Sequence, residues 1–313
     1  MYFVLFMLTY YFRSVKDEKL KEISEPRSGV WAHLVAPSSE ELKTLINTFS
    51  LDSDIIEDAN DFYEVPRMEK SGGATYFFTR YPLTDRQQDN YTSPLLIVMG
   101  ESFVVTISLN KIEQFDQLVS GTTPIYTTQK SKFFIQIMNI LTTSYDKELL
   151  RLRKAVHKDR ARLQNIGTKE IERLVNHETV LNSMIDSLTP TNTWLQQVTN
   201  GNYLQFYQED LEEMEDLVIA NGQVVNSARS VMKTVQNIRS AAEAIMTSRL
   251  NNALRILTVL TILMTVPLVI ASLYGMNVPL PFQDSTYTFY AVIVINLLLL
   301  VGLSYLFKKN RWF

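Results

Sequence analysis

Hydrophobic and polar residues alternate along this chain in three successive regimes. Up to about residue 125 the apolar runs are short and separated by turn-forming residues. The stretch Met1 to Phe12, rich in aromatic and β-branched residues (Tyr2, Phe3, Val4, Phe6, Tyr10, Tyr11), predicts a buried strand. It is too short to span a bilayer and lacks the basic leader and small-residue cleavage site of a signal peptide. Gly29-Val30-Trp31-Ala32-His33-Leu34-Val35 predicts another strand, stopped by Pro37. Ser38 then opens a helix with Glu41 three residues on, the signature of a capping box. Further strands are expected at 75–80, 95–99 and 103–108, with Gly100-Glu101 as the hairpin turn between the last two. This order predicts an α/β domain around a central sheet.

From Lys130 onward the strand signals vanish. A helix is predicted over 131–164, broken at Gly167, and a second from there to about Leu188, where Thr189-Pro190 should stop it. The chain is expected to reverse near Thr199-Asn200-Gly201-Asn202. Leu217, Val224, Val231, Ile238 and Ile245 then recur one heptad apart, with the small or short residues Ala220, Ser227, Thr234, Ala241 and Ser248 three positions on. Such a seam packs helices closely. No proline interrupts it before Pro267, so a single helical rod of about 100 Å is expected.

The last regime holds two apolar segments, roughly Ile256 to Leu273 and Thr288 to Phe307, each close to the ~20 residues that cross a bilayer. The expected division is therefore an α/β domain over 1–128, a helical stalk over 129–252, and a transmembrane hairpin with a basic tail over 253–313, its spans at about 255–273 and 288–307. Arg249 and Arg255 precede the first span, Lys308, Lys309 and Arg311 follow the second, and residues 275–287 contain no Lys or Arg. The positive-inside rule then puts both termini in the cytoplasm of a multi-pass protein of the cell membrane. Lys308, Lys309 and Arg311 anchor the second span at the inner leaflet in this reading. Asn296, inside that span, reads as an interhelical hydrogen bond rather than a transport site.

Composition narrows the function classes. A net charge of −3 makes no case for nucleic acid. The absence of cysteine excludes disulfides and thiolate metal sites, and His33, His157 and His177 show no ligand spacing. No phosphate-binding glycine loop, nucleophile elbow or zinc-protease spacing is found, which disfavours an enzyme, an organic cofactor and ATP-driven pumping. The acids Glu209, Asp210, Glu212, Glu213, Glu215 and Asp216 read as a solvated helix face or a divalent-sensing surface. The basic run Lys147, Arg151, Arg153, Lys154, Lys158, Arg160 and Arg162, interrupted by Glu148 and Asp159, reads as a salt-bridged helix.

On a helical wheel of the first span, Asn251, Leu254, Leu257 (or Thr258), Thr261, Thr265, Leu268 and Ser272 form one stripe, much of it small and polar. Two readings stand. The hydroxyls can satisfy themselves on their own backbone or on a neighbouring helix, or the stripe can line an aqueous path, with Leu254 and Leu257 as an apolar constriction able to gate by dewetting. Two spans cannot enclose a path, so the second reading requires a ring of copies. Beyond the stripe lies Tyr274-Gly275-Met276-Asn277. Gly275 is expected to leave the helix at positive φ. Asn277 is either a cap facing water or one of a ring of neutral amide oxygens offered to a hard, strongly hydrated cation such as Mg²⁺.

These residues resemble the CorA family of magnesium transporters, whose signature is Gly-Met-Asn after the first of two C-terminal spans. The similarity also includes Trp31, Pro37, Glu40-Glu41-Leu42, Leu51, Ile56-Glu57-Asp58, Glu64-Val65-Pro66-Arg67 and the run Asn251 to Thr258. The resemblance implies a funnel-shaped homopentamer carrying Mg²⁺, often Co²⁺ or Ni²⁺ too, down its electrochemical gradient. It implies first spans lining the pore, Gly275, Met276 and Asn277 as outer selectivity site, a polar ring at Asn251 and hydrophobic gating near Leu254 and Leu257. It further implies closure when Mg²⁺ binds acids between cytoplasmic domains, with Asp216 the stalk candidate and Asp85 or Asp89 its partner. The basic tail would ring the inner mouth. One departure is the outer loop, Val278 to Asp284, where the usual Met-Pro-Glu-Leu is missing and Asp284 is the sole acid. Met276 favours magnesium over the zinc-transporting ZntB relatives, which often carry Ile there. Two alternatives remain: a proton-coupled Zn²⁺ transporter of the ZntB kind, and a membrane-tethered coiled-coil sensor or scaffold that conducts nothing.

Overall fold

The computed structural model describes residues 7–83, 91–161, 167–200, 203–204, 206–278, 285–310 and 312. It divides into two units, Met1–Ile238 and Arg239–Phe313.

The first unit begins with β1 (Met7–Phe12), β2 (Lys21–Ile23) and β3 (Val30–Val35), followed by the helices α1 (Ser39–Phe49) and α2 (Ser53–Asp58). Strands β4 (Arg67–Ser71), β5 (Ala74–Pro82), β6 (Thr92–Met99) and β7 (Phe103–Ser108) come next. They form one seven-stranded sheet in the order β2-β1-β3-β7-β6-β5-β4. Only β3 and β7 pair in parallel; every other neighbour is antiparallel. The expected strands are all present, including the first, whose residues 1–6 lie outside the described set. Sequence reading passed over β2 and β4. Both are edge strands carrying charge (Lys21, Glu22; Arg67, Glu69, Lys70), which protects an edge from further pairing and erases the apolar alternation that marks an interior strand.

Alternation sends successive side chains of each interior strand to opposite faces. Trp31, Phe77, Leu95, Ile97 and Val104 enter one apolar cluster, while Ala32, Leu34, Tyr76, Phe78, Leu96, Val98 and Val105 enter the other. The second cluster is closed by Leu42 and Leu45 of α1 and Ile55 and Ile56 of α2. The expected capping box fixes α1: Glu41 N donates to Ser38 Oγ at 3.3 Å, and Ser38 N donates to Glu41 Oε2 at 3.0 Å.

The first cluster is closed by a short helix α3 (Asp116–Val119), by α4 (Lys130–Ala161) and α5 (Thr168–Thr199), and by the start of α6 (Gln208–Tyr274). Trp31 sits at its centre, fully buried, with its ring against Phe133 and Phe115. Its Nε1 donates to Thr106 Oγ1 at 2.8 Å, and His33 Nδ1 meets the same oxygen at 2.9 Å. Desolvation holds the His33 imidazole down to a pKa of about 4, against a smaller upward pull from Asp116.

Two expectations about the helices need correction. The stop at Thr189-Pro190 does not occur: α5 runs through Pro190 to Thr199. An internal proline costs about 3 kcal/mol. Beyond it, however, Trp194, Leu195 and Val198 are all buried, each worth roughly 1.5–3 kcal/mol, so burial outweighs the break. The stalk seam is the second. Leu217, Val224, Val231 and Ile238 are buried as expected, but the companion row is Met214, Asn221, Ala228 and Val235, three positions before them. Ala220, Ser227 and Thr234 are only partly shielded. The small residues mark the flank of the seam.

The second unit holds the C-terminal part of α6, which contains Pro267, and α7 (Thr286–Lys309). Both helices are long and apolar enough to cross a membrane. Helix α6 is unbroken from Gln208 to Tyr274, as the absence of an earlier proline predicted.

Candidate functional site

Within the second unit each apolar helix has one partly shielded row. On α6 it comprises Val259, Ile262, Leu263, Val266, Pro267 and Ile270; on α7 it comprises Thr288, Val292, Asn296, Leu300, Leu303 and Phe307. These rows repeat every three or four residues, so they are single helix faces. The stripe chosen from the sequence falls elsewhere. Asn251, Leu254, Leu257, Thr261, Thr265, Leu268 and Ser272 are all exposed, with Leu254, Leu257 and Leu268 at 51%, 59% and 68%. At about 100° per residue the stripe lies roughly opposite the shielded row. The face that carries hydroxyls is thus the one α6 leaves open.

The hydroxyl hydrogens on that face are committed. Thr258 Oγ1 donates to the Leu254 carbonyl at 2.9 Å, Thr261 Oγ1 to the Leu257 carbonyl at 2.9 Å, and Thr265 Oγ1 to the Thr261 carbonyl at 2.8 Å. A hydroxyl has one hydrogen and two lone pairs. With the hydrogen turned back onto the helix, what each threonine presents outward is an acceptor. Such a surface suits the outward-pointing hydrogens of a hydrated cation and offers nothing to an anion.

The end of the stripe is built by the next residues. Gly275 N donates to the Ala271 carbonyl at 3.0 Å, and Met276 N donates to the Leu273 carbonyl at 3.4 Å, so the helix unwinds through a turn. The expected positive φ at Gly275 is not adopted; among the described residues the positive-φ glycines are Gly29, Gly72, Gly73 and Gly121. Glycine eases a close approach here instead. A Cβ at Gly275 would lie 3.3 Å from the Ala271 carbonyl oxygen, a backbone atom that cannot rotate away. Met276 and Asn277 follow, both exposed.

Asn296 also departs from expectation. Its Nδ2 donates to the Val292 carbonyl of its own helix at 3.0 Å rather than across to α6, and its Oδ1 is buried with no hydrogen-bond partner.

The regulatory candidates are divided. Asp216 lies on α6 in the first unit and is exposed, whereas Asp85 and Asp89 lie outside the described residues, as do residues 279–284 of the outer loop and Arg311. In the acidic run Asp210 is buried, and Glu213 pairs with Lys132 at 3.4 Å. In the basic run Arg151 pairs with Glu148 at 3.4 Å, as a salt-bridged helix predicts. Among the described residues no three His, Cys, Asp or Glu side chains of one chain gather to hold a metal ion.

The sequence profile of a family described as "CorA-like Mg2+ transporter protein" matches residues 27–309. The chain is 25% identical over 311 residues to the cobalt/magnesium transport protein CorA of Methanocaldococcus jannaschii, covering 96% of each. The complete structure of the CorA magnesium transporter from that organism superposes with a TM-score of 0.83 at 21% identity, covering 98% of this chain and 99% of that one. The full-length protein CmaX superposes with a TM-score of 0.73 at 13% identity, over 96% and 98% of the two chains. The cytoplasmic domain of ZntB from Vibrio parahaemolyticus gives 0.64 at 7% identity, over 78% and 99%.

Proposed function

The chain belongs to the family of CorA-like Mg²⁺ transporters, and from that premise we propose that it is a divalent cation channel of the membrane whose pore is walled by the exposed face of α6. Members of this family are ion transporters, not enzymes. Mg²⁺ is the cargo, entering the cell down its electrochemical gradient, with both termini in the cytoplasm. The single observation that carries this reading is the acceptor face of α6: it lies opposite the shielded row, its hydroxyl hydrogens are turned inward, and it ends at Asn277.

One chain cannot enclose a conduit, so several copies, five by the family resemblance, form the funnel. Each role then follows from position. A ring of Asn277 amide oxygens accepts hydrogen bonds from the water shell of Mg²⁺ without binding the bare ion, which matches an ion that dehydrates reluctantly. Gly275 and Met276 set where that ring sits. Thr261, Thr265 and Ser272 continue the acceptor lining inward. Leu254 and Leu257 form a narrow apolar ring that empties of water when the helices close, and Asn251 rewets the path beyond it. Asp216, exposed on α6, supplies one arm of an inhibitory Mg²⁺ site between copies, with Asp85 or Asp89 as the opposing acid. No organic cofactor is needed for any of these steps.

Metal flux in vesicles reconstituted with the whole protein tests this. Mg²⁺ uptake should fall at least about tenfold in Asn277→Ala, because the tip would no longer offer an acceptor to the hydrated ion. Uptake by the unaltered protein should be inhibited by internal Mg²⁺, and Asp216→Ala should relieve that inhibition. Unchanged Mg²⁺ uptake in Asn277→Ala would sink the selectivity role. Zn²⁺ uptake that rises with an inward proton gradient, without Mg²⁺ uptake, would replace the proposal with proton-coupled zinc transport. A protein that forms rings but moves no metal would be the scaffold instead.

A further inference from the structure

Pro267 has no N–H, so in α6 the carbonyl of Leu263 loses the donor that every other residue of an α-helix provides four positions later. In hydrocarbon such a carbonyl is costly, and proline is tolerated in a membrane helix where a neighbouring group or an ordered water restores the bond. Leu263 and Pro267 both lie on the partly shielded row of α6, away from the acceptor stripe. The other helix of this unit, α7, is the element available to supply the restoring group.

Depth identifies it. Leu263 precedes the end of α6 at Tyr274 by 11 residues, and Asn296 follows the start of α7 at Thr286 by 10. At 1.5 Å per residue these are depths of about 16 Å and 15 Å below the outer ends of the two helices. In an antiparallel hairpin they stand level. Asn296 is on the partly shielded row of α7, and at this depth it is the polar side chain among apolar ones on either row. Its amide is only partly engaged: one Nδ2 hydrogen goes to the Val292 carbonyl at 3.0 Å, while Oδ1 is buried without a partner. The side chains of the shielded α6 row, Val259, Ile262, Leu263, Val266, Pro267 and Ile270, contain no donor.

We propose that Asn296 is a positioning residue for the pore helix: its side-chain amide, directly through the second Nδ2 hydrogen or through one shared water that also serves Oδ1, satisfies the Leu263 carbonyl orphaned by Pro267. A water donating to both Oδ1 and the carbonyl would complete two acceptors at once, the arrangement that holds buried waters in place. The consequence is mechanical. Proline makes α6 deformable at mid-membrane, where its opposite face carries Thr265 and Leu268. Asn296 fixes how far the helix bends there, and so the width of the lining, without touching the ion.

This rests on the pore reading above, and the experiment separates the two. Mg²⁺ flux into vesicles and thermal melting of the detergent-solubilised full-length protein are measured for the unaltered protein, Asn296→Leu, Pro267→Ala and the double variant. Pro267→Ala restores the backbone N–H, so Leu263 no longer needs an outside donor. Asn296→Leu is expected to lower flux about tenfold and the melting temperature by several degrees in the proline background, and to change flux less than about twofold in the alanine background. Equal losses in both backgrounds, or none in either, overturn the proposal. If Pro267→Ala does not assemble, Pro267→Leu restores the same N–H and completes the cycle. If the unaltered protein moves no Mg²⁺, the pore reading fails, while non-additive melting temperatures still report the Asn296–Pro267 coupling.

Discussion

Thr106 and Thr261 carry the same side chain in the two units of this molecule and use it in opposite ways. Thr106 is fully buried in β7, and its hydroxyl ties together Trp31 and His33 of the neighbouring strand, both through side chains. Thr261 is exposed on α6, and its hydroxyl hydrogen returns to the Leu257 carbonyl of its own helix. At this place the first unit closes three polar side chains on one another. The second turns its threonine hydroxyls back onto its own helix and leaves their lone pairs, and most of its apolar surface, facing outward. On the proposed reading, that surface meets lipid on one side and, at the acceptor face, other copies of the chain around water. One unit is completed by its own sequence and the other by its surroundings.

The comparison breaks most visibly at Trp31. Its indole is fully buried among Phe115, Phe133 and the sheet, so Trp31→Ala should destabilise the first unit by about 3–5 kcal/mol, read from chemical denaturation of the solubilised protein. Leu257→Ala, at a position 59% exposed, should leave that transition within about 0.5 kcal/mol while altering flux. A large shift from Leu257→Ala would mean that the second unit also stabilises the first.

A smaller effect comes from pH. The folded state holds His33 at about 4, below the ordinary histidine value of 6.5. Between those values the unfolded chain binds the proton and the folded chain does not, so stability is complete above about pH 6.5 and is lost as pH falls toward 4. At pH 4.5 the first unit should have lost roughly 2–3 kcal/mol relative to pH 7 on this account. His33→Gln should flatten that part of the profile, and an unchanged slope in this variant would assign the acid sensitivity to other groups.

Legibility in the sequence followed the range of the interaction. The two long apolar helices, the Ser38–Glu41 box and the β6–β7 hairpin are written in residues close together in the chain, and local patterning recovered them. Pro190 was misread because what carries α5 past it is the burial of Trp194, Leu195 and Val198 against strands distant in sequence. The heptad was found but its companion row was misplaced: small residues suggested the contact, while Met214, Asn221, Ala228 and Val235 make it. At Gly275 the expected left-handed turn is absent and a tight approach to the Ala271 carbonyl stands in its place, two situations that look identical in sequence. Asn296 stood out as polar in an apolar span, but its relation to Pro267 depends on the depth of two antiparallel helices and becomes visible only when both ends are known.

The finest distinction between the units is testable at Thr261. Thr261→Val removes a hydroxyl whose hydrogen bond, at 2.9 Å, serves a carbonyl already inside a helix. An α-helical carbonyl keeps its backbone N–H partner, so the loss leaves nothing unsatisfied and stability should change by less than about 0.5 kcal/mol. Valine matches threonine in shape, so the width of any lining is also unchanged. What disappears is one outward-facing acceptor per copy. If hydrated cations pass this face, Mg²⁺ flux should fall several-fold with the melting temperature unaltered, and Thr261→Ser, which keeps the oxygen, should restore it. If the hydroxyl only reinforces its own helix, valine will transport as well as threonine, and the acceptor face loses its claim to be the pore.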